Sequence, residues 1–188
     1  MTTTTAPSDT ELLRQARAGA AASFEALYLR HQGPLFRYCV LRCGSADTAA
    51  DIVQEVFMGL LTNTLRFDPL RGALQNFLFG VARNLAMKQD RPVAAPDDED
   101  GEPAGDDAEP LYRMLCNEQA ADVRRALAQL APHYRDVLIL FEMHDRSYLE
   151  IAAICGIDVG TVRSRLSRAR AALAQRLGAH RPAINTAA

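Results

Sequence analysis

The stretch SYLEIAAICGIDVGTVRSRLSRARAAL, residues 147–173, carries two helix starts separated by one helix stop. Ser147 and Glu150 have the S-x-x-E spacing of a capping box, in which the serine oxygen accepts from the Glu150 N–H while the carboxylate reaches back. A short helix therefore starts at Tyr148. It ends near Cys155-Gly156, because glycine takes the left-handed conformation that a helix stop favours, and Ile157 supplies an apolar residue for the turn. A second helix begins near Asp158 or Val159. Two helices joined by a short glycine-containing turn form a helix-turn-helix, whose second helix enters the DNA major groove.

The second helix has two distinct faces. Val162, Leu166, Ala169, Leu173 and Leu177 recur at spacings of three and four, so they share the face that packs inward. The opposite face carries Gly160, Ser164, Ser167, Arg168 and Ala171. Its small residues let the backbone approach a groove floor, and Ser164, Ser167 and Arg168 have the chemistry to hydrogen-bond base edges. Arg163 and Arg165 project from the flanks toward the phosphate walls, where contacts give affinity without sequence information. An arginine-rich solvated helix has the same composition; the preceding capping box and glycine turn favour DNA.

The rest of the chain surrounds this unit with more helix. Of the 188 residues 48% are hydrophobic, enough for real cores. Alanine and leucine dominate and apolar residues recur at helical spacing. Helices are expected near 9–18, 20–32, 34–43, 46–63 and 73–89, with Pro34 placed at a helix start, and near 111–130, 132–143, 148–155 and 159–177. The net charge of −2 is a cancellation. Residues 1–90 hold nine basic and eight acidic side chains, residues 91–110 one and eight, and residues 111–188 eleven and seven. The middle block, RPVAAPDDEDGEPAGDDAEP, has four prolines and no aromatic residue, and cannot bury enough apolar surface to offset its ordering entropy. It reads as a flexible acidic linker between domains at 1–90 and 111–180, with a tail at 181–188.

No secretory leader or membrane span is legible, so a cytoplasmic location is expected. Cys39, Cys43, Cys116 and Cys155 lack CxxC spacing and suit free thiols in a reducing compartment. His31, Cys39 and Cys43 are the only group resembling a metal or redox set, and its irregular spacing argues for buried hydrophobes instead. No phosphate-cradling glycine loop or nucleophile elbow appears, so neither an enzyme nor a small-molecule substrate is expected.

Residues 125–173, RALAQLAPHYRDVLILFEMHDRSYLEIAAICGIDVGTVRSRLSRARAAL, closely resemble the C-terminal domain of extracytoplasmic-function sigma factors of the sigma-70 family. Residues 50–61, ADIVQEVFMGLL, and 66–86, RFDPLRGALQNFLFGVARNLA, resemble the family's N-terminal domain in order and spacing. The resemblance implies an all-α chain of two helical domains, a sigma domain 2 bundle at 1–90 and a sigma domain 4 helix-turn-helix at 111–180. It implies a transcription initiation factor that carries RNA polymerase core to promoters and needs no cofactor.

It also assigns roles. Asp51, Gln54, Glu55 and Met58, opposite the apolar stripe of Ile52, Val53, Val56, Phe57, Leu60 and Leu61, would contact the β′ clamp coiled coil; the β flap is the second polymerase contact. Phe67, in the loop 66–72, would help capture a base flipped from the minus-10 element, with Arg71, Arg83, Asn84 and Lys88 holding the opened strand. Arg163, Ser164, Arg165, Ser167 and Arg168 would read the minus-35 duplex. A soluble or membrane-bound anti-sigma factor would keep the chain inactive, and the acidic linker would run along basic polymerase channels. Many relatives carry tryptophan where Phe77 stands; phenylalanine has no indole N–H and reads better as core than as a strand separator. A free-standing helix-turn-helix regulator, binding duplex DNA as a dimer, is the alternative that residues 147–173 alone leave open.

Overall fold

The computed structural model describes residues 6–89 and 118–179, and every regular element among them is helical. The expected linker at 91–110, the start of the helix expected at 111 and the tail at 181–188 lie outside the described residues. The elements are α1 (Asp9–Arg17), α2 (Ala21–Cys43), α3 (Ala46–Leu61), a 3-10 turn (Pro69–Arg71), α4 (Leu74–Gln89), α5 (Glu118–Ala128), α6 (Pro132–Glu142), α7 (Tyr148–Cys155) and α8 (Val159–Ala179).

Polar caps set several boundaries. The Ser8 hydroxyl accepts from the Glu11 N–H, and the Ser45 hydroxyl accepts from the Thr48 N–H. Each satisfies a backbone donor that the first turn leaves orphaned. Helix α2 stops at Gly44, whose φ of 76° is left-handed and whose N–H donates to the Val40 carbonyl.

One boundary differs from expectation. Pro34 does not start a helix but lies inside the 23-residue α2. Proline there removes one intrahelical hydrogen bond at a cost of about 3 kcal/mol. The helix continues because its buried stripe of Leu27, His31, Leu35, Tyr38 and Arg42 runs through Pro34 without a break. Burying each large apolar side chain of that stripe contributes roughly 1.5–3 kcal/mol, which outweighs the lost bond.

Helix α2 is the axis of the first domain. It packs on α1, α3 and α4, while α6, α7 and α8 pack on one another to form the second domain. The domains touch: α2 lies against α5 and α6, and α4 lies against α7. At that seam sit Tyr38, Arg42 and Asp136, all almost completely buried.

Candidate nucleic-acid and polymerase interfaces

The helix-turn-helix forms as its local signals require. The Ser147 hydroxyl accepts from the Glu150 N–H at 3.3 Å, and the Glu150 carboxylate accepts from the Ser147 N–H at 2.9 Å. Gly156 adopts φ 65° and donates to the Ala152 carbonyl, which also accepts from the Ile157 N–H at 3.0 Å. Asp158 then caps α8 by accepting from the Thr161 N–H at 2.8 Å. Hydrogen bonds from the Thr161 hydroxyl and backbone N–H hold the Asp158 carboxyl below its ordinary pKa. The ionised form suits a helix N-terminus.

Helix α8 presents the expected faces. Val162, Leu166 and Ala169 are buried, whereas Leu173 and Leu177 are only half-buried, on the part of α8 where Arg176 donates to the Gln129 carbonyl just after α5. Arg163, Ser164, Ser167 and Arg168 are exposed. Arg165 is half-buried and turns toward the first domain. Arg170 takes no part in that surface: it donates to Glu142 at 2.8 Å and stacks 5.0 Å from the centre of the Phe141 ring.

In the first domain Asp51, Gln54, Glu55 and Met58 are all exposed along one side of α3, and Met58 is 53% accessible. The apolar stripe behind them is buried, apart from the half-buried Leu61 at the helix end. After α3 the chain is tied back by Arg17, whose guanidinium donates to the Leu60 and Leu65 carbonyls. The loop 66–72 is then shaped by Asp68, whose carboxylate accepts from the Leu70 N–H at 3.0 Å. Phe67 is half-buried, 5.6 Å between ring centres from the half-buried Phe77. Arg71, Asn84 and Lys88 are exposed.

Two family models match the chain: Sigma-70 region 2 over residues 27–91 and Sigma-70, region 4 over residues 120–173. The ECF RNA polymerase sigma factor SigM of Mycobacterium tuberculosis is 30% identical over 95% of this chain and 89% of its own length. The RNA polymerase sigma-H factor of Pseudomonas aeruginosa is 32% identical over 88% and 91%. The chain belongs to the ECF RNA polymerase sigma factors. As such it is a transcription initiation factor that directs RNA polymerase to promoters. It spans 64% of the length of another relative, SigE of Mycolicibacterium smegmatis, which is 30% identical over 86% of this chain. Among solved structures, CnrH in complex with the cytosolic domain of CnrY has a TM-score of 0.68 at 26% identity, covering 92% of this chain and 99% of that one. The sigma factor RpoE of Bartonella quintana, in complex with the anti-sigma factor NepR, gives 0.61 at 26% identity over 84% and 98%.

One predicted contact of the sigma factor is placed unexpectedly. Arg83 does not join Arg71, Asn84 and Lys88 on an open basic surface. Its Nε donates to Asp136 Oδ2 at 2.9 Å, across the domain boundary, and its side chain is 12% accessible. The other oxygen, Asp136 Oδ1, accepts from Arg42 Nε at 2.6 Å and from the Tyr38 hydroxyl at 3.1 Å. Arg135 adds a bond from its guanidinium to the Arg42 carbonyl at 2.6 Å. A second contact lies beside it: the Asn76 amide donates to Glu150 Oε1 at 3.0 Å and accepts from Arg146 at 3.2 Å. The Asn76 bond first, and the Ser147 bonds after it, lower the Glu150 pKa to about 2.

Sequence reasoning missed Tyr38, Arg42 and Asp136, since the partners lie 94 and 98 residues apart. It also passed over Leu70, 95% accessible at the tip of the loop. An apolar residue between Pro69 and Arg71 in so polar a loop was the available signal. His31, one of the three residues weighed as a metal set, instead pairs with Asp9 at 2.9 Å. Burial raises the pKa of both Cys39 and Cys155, the latter to about 11. Such thiols are protonated and poorly reactive.

Proposed function

We propose that this sigma factor divides its work among three separate surfaces. The exposed side of α3, with Asp51, Gln54, Glu55 and Met58, binds the β′ clamp coiled coil of RNA polymerase, and the second domain sits on the β flap. The exposed face of α8 reads the minus-35 duplex, with Ser164, Ser167 and Arg168 on base edges and Arg163 and Arg165 on phosphates. The loop 66–72 and the exposed side of α4 take the opened minus-10 strand, with Phe67 beside the flipped base and Arg71, Asn84 and Lys88 along the backbone, while Arg83 is held by Asp136 at the domain boundary. The observation that carries the reading is that α8 buries Val162, Leu166 and Ala169 while it leaves Arg163, Ser164, Ser167 and Arg168 in solvent.

Binding free energy does the work, without a cofactor or nucleotide hydrolysis. Neither domain has to bind DNA tightly alone, because the covalent connection turns the second contact into an intramolecular one. The domains are proposed to span residues 1–90 and 111–180. The setting is the cytoplasm; among the described residues no helix is long and apolar enough to cross a membrane. An anti-sigma factor, soluble or membrane-bound, holds the chain inactive by covering the polymerase-binding surfaces. Two structural relatives are described in complexes, one of them with a named anti-sigma factor, which supports this regulation.

Run-off transcription with purified core polymerase on genomic fragments tests the reading. Discrete transcripts that appear only when the chain is added support it. A transcript pattern unchanged by the chain overturns it.

A further inference from the structure

The loop 66–72 holds an apolar side chain out in water at its tip. Leu70 is 95% accessible, more than any other large apolar residue among the described ones. A single exposed leucine is ordinary on a protein surface. Leu70 stands apart through how it is held and what flanks it.

The turn that carries it is fixed from both sides. Pro69 locks its own φ. The Asp68 carboxylate accepts from the Leu70 N–H at 3.0 Å, and the Asp68 carbonyl accepts from the Arg71 N–H at 3.1 Å. Gly72 leaves the turn at φ 134°, a conformation that L residues rarely adopt. Beneath the turn, Phe67 is half-buried against Phe77, so the base of the loop is seated on α4. Leu70 is thus kept from folding back onto the domain.

The flanks are cationic. Arg66 and Arg71 are both exposed. An apolar tip edged by guanidinium groups fits a ligand that is apolar in the middle and anionic at its margins. A base step of DNA is such a ligand, with stacked rings between two rows of phosphate. Apolar side chains, leucine among them, wedge into base steps, and the unstacking costs a few kcal/mol per step. An anionic lipid surface shares the charge pattern, but one leucine contributes only roughly 1.5–3 kcal/mol of burial, too little to anchor a protein.

We propose that Leu70 is the wedge of this sigma factor: it enters the base stack of the minus-10 element as the base beside Phe67 leaves it, while Arg66 and Arg71 hold the neighbouring phosphates. The inference rests on the minus-10 role proposed above for the loop 66–72 and adds the residue that keeps the vacated step from closing.

The test uses holoenzyme assembled from core polymerase and the full chain, on a promoter found by run-off transcription. One template is fully paired; the other carries a mismatched minus-10 element and is open from the start. 2-Aminopurine placed in the minus-10 element brightens on unstacking and reports the rate of opening. Leu70→Ala should slow opening of the paired template by about tenfold or more and leave use of the mismatched template within about twofold of the parent. Leu70→Met should restore most of the rate. Leu149→Ala, which trims a leucine 74% accessible on α7, should leave the ratio between the two templates unchanged.

Equal losses on both templates would make Leu70 a general binding contact and overturn the proposal. Binding of the free chain to phosphatidylglycerol vesicles that Leu70→Ala abolishes, with opening unchanged, would overturn it in favour of a membrane. If the parent opens the promoter and Leu70→Ala opens it as fast, the wedge alone falls. If the parent holoenzyme opens no promoter, the wedge and the proposed minus-10 role fall together.

Discussion

Lowering the pH should loosen the seam through His144. This side chain is 7% accessible, packs 4.8 Å between ring centres from Phe79, and lies 6.3 Å from Tyr38. Burial, reinforced by repulsion from Arg37 and Arg146, lowers its pKa to about 4. In an unfolded or undocked chain the imidazole titrates near about 6.5. The folded value is the lower one, so below about 6.5 the open chain takes up a proton that the closed chain refuses. The contribution is complete above about pH 6.5, is lost as pH falls toward about 4, and is level below that. Integrated from about pH 7.5 down to about pH 5, the loss is about 2 kcal/mol.

Urea unfolding at those two pH values measures it, with His144→Leu as the reference. The leucine variant removes the titrating group, so the readout is the difference in pH dependence and not the baseline stability. His31, whose pKa burial also lowers despite Asp9, acts in the same direction and cancels between the two chains. Glu11 and Glu150, each held at about 2, stay ionised across the window. If both chains lose the same stability within about 0.5 kcal/mol, His144 titrates as it does in water and the reasoning fails.

Two further outcomes follow from named contacts. Ser147→Ala removes the hydroxyl half of the capping box and should cost about 1 kcal/mol in a urea melt, with α-helical circular dichroism otherwise retained. Arg168→Ala should cost about 1–3 kcal/mol on the preferred minus-35 sequence and relax preference there, whereas Arg165→Ala should weaken all sequences alike and reduce the salt slope by about one; promoter-binding titrations of the holoenzyme on native and scrambled sites separate the two, and equal losses on every sequence would remove the distinction.

What could be read directly from the residues was local. The capping box at Ser147 and Glu150, the left-handed Gly156 and the inward stripe of Val162, Leu166 and Ala169 each depend on neighbours within four positions, and each appears where the pattern put it. Pro34 misled because a local breaker was overridden by tertiary burial on both sides of it. Leu173 and Leu177 share the right face, yet a wheel carries no information on where the packed partner ends. Arg83 was the costliest gap. Its helix position suits a DNA-facing surface, but its partner is 53 residues away on another domain, and no spacing rule reaches that far. Phe77 was expected in the core and proves to be half-buried, paired with the same Phe67 assigned to the flipped base.

As a sigma factor this chain works as part of RNA polymerase. Equilibrium binding of the purified, inhibitor-free chain to bacterial core enzyme tests it most directly, with Glu55→Lys as the control because Glu55 is exposed on α3. A stable complex is expected, with affinity reduced by about tenfold or more, about 1.4 kcal/mol, by the charge reversal and with an unchanged melting temperature. Failure of the parent chain to associate with core enzyme would contradict it.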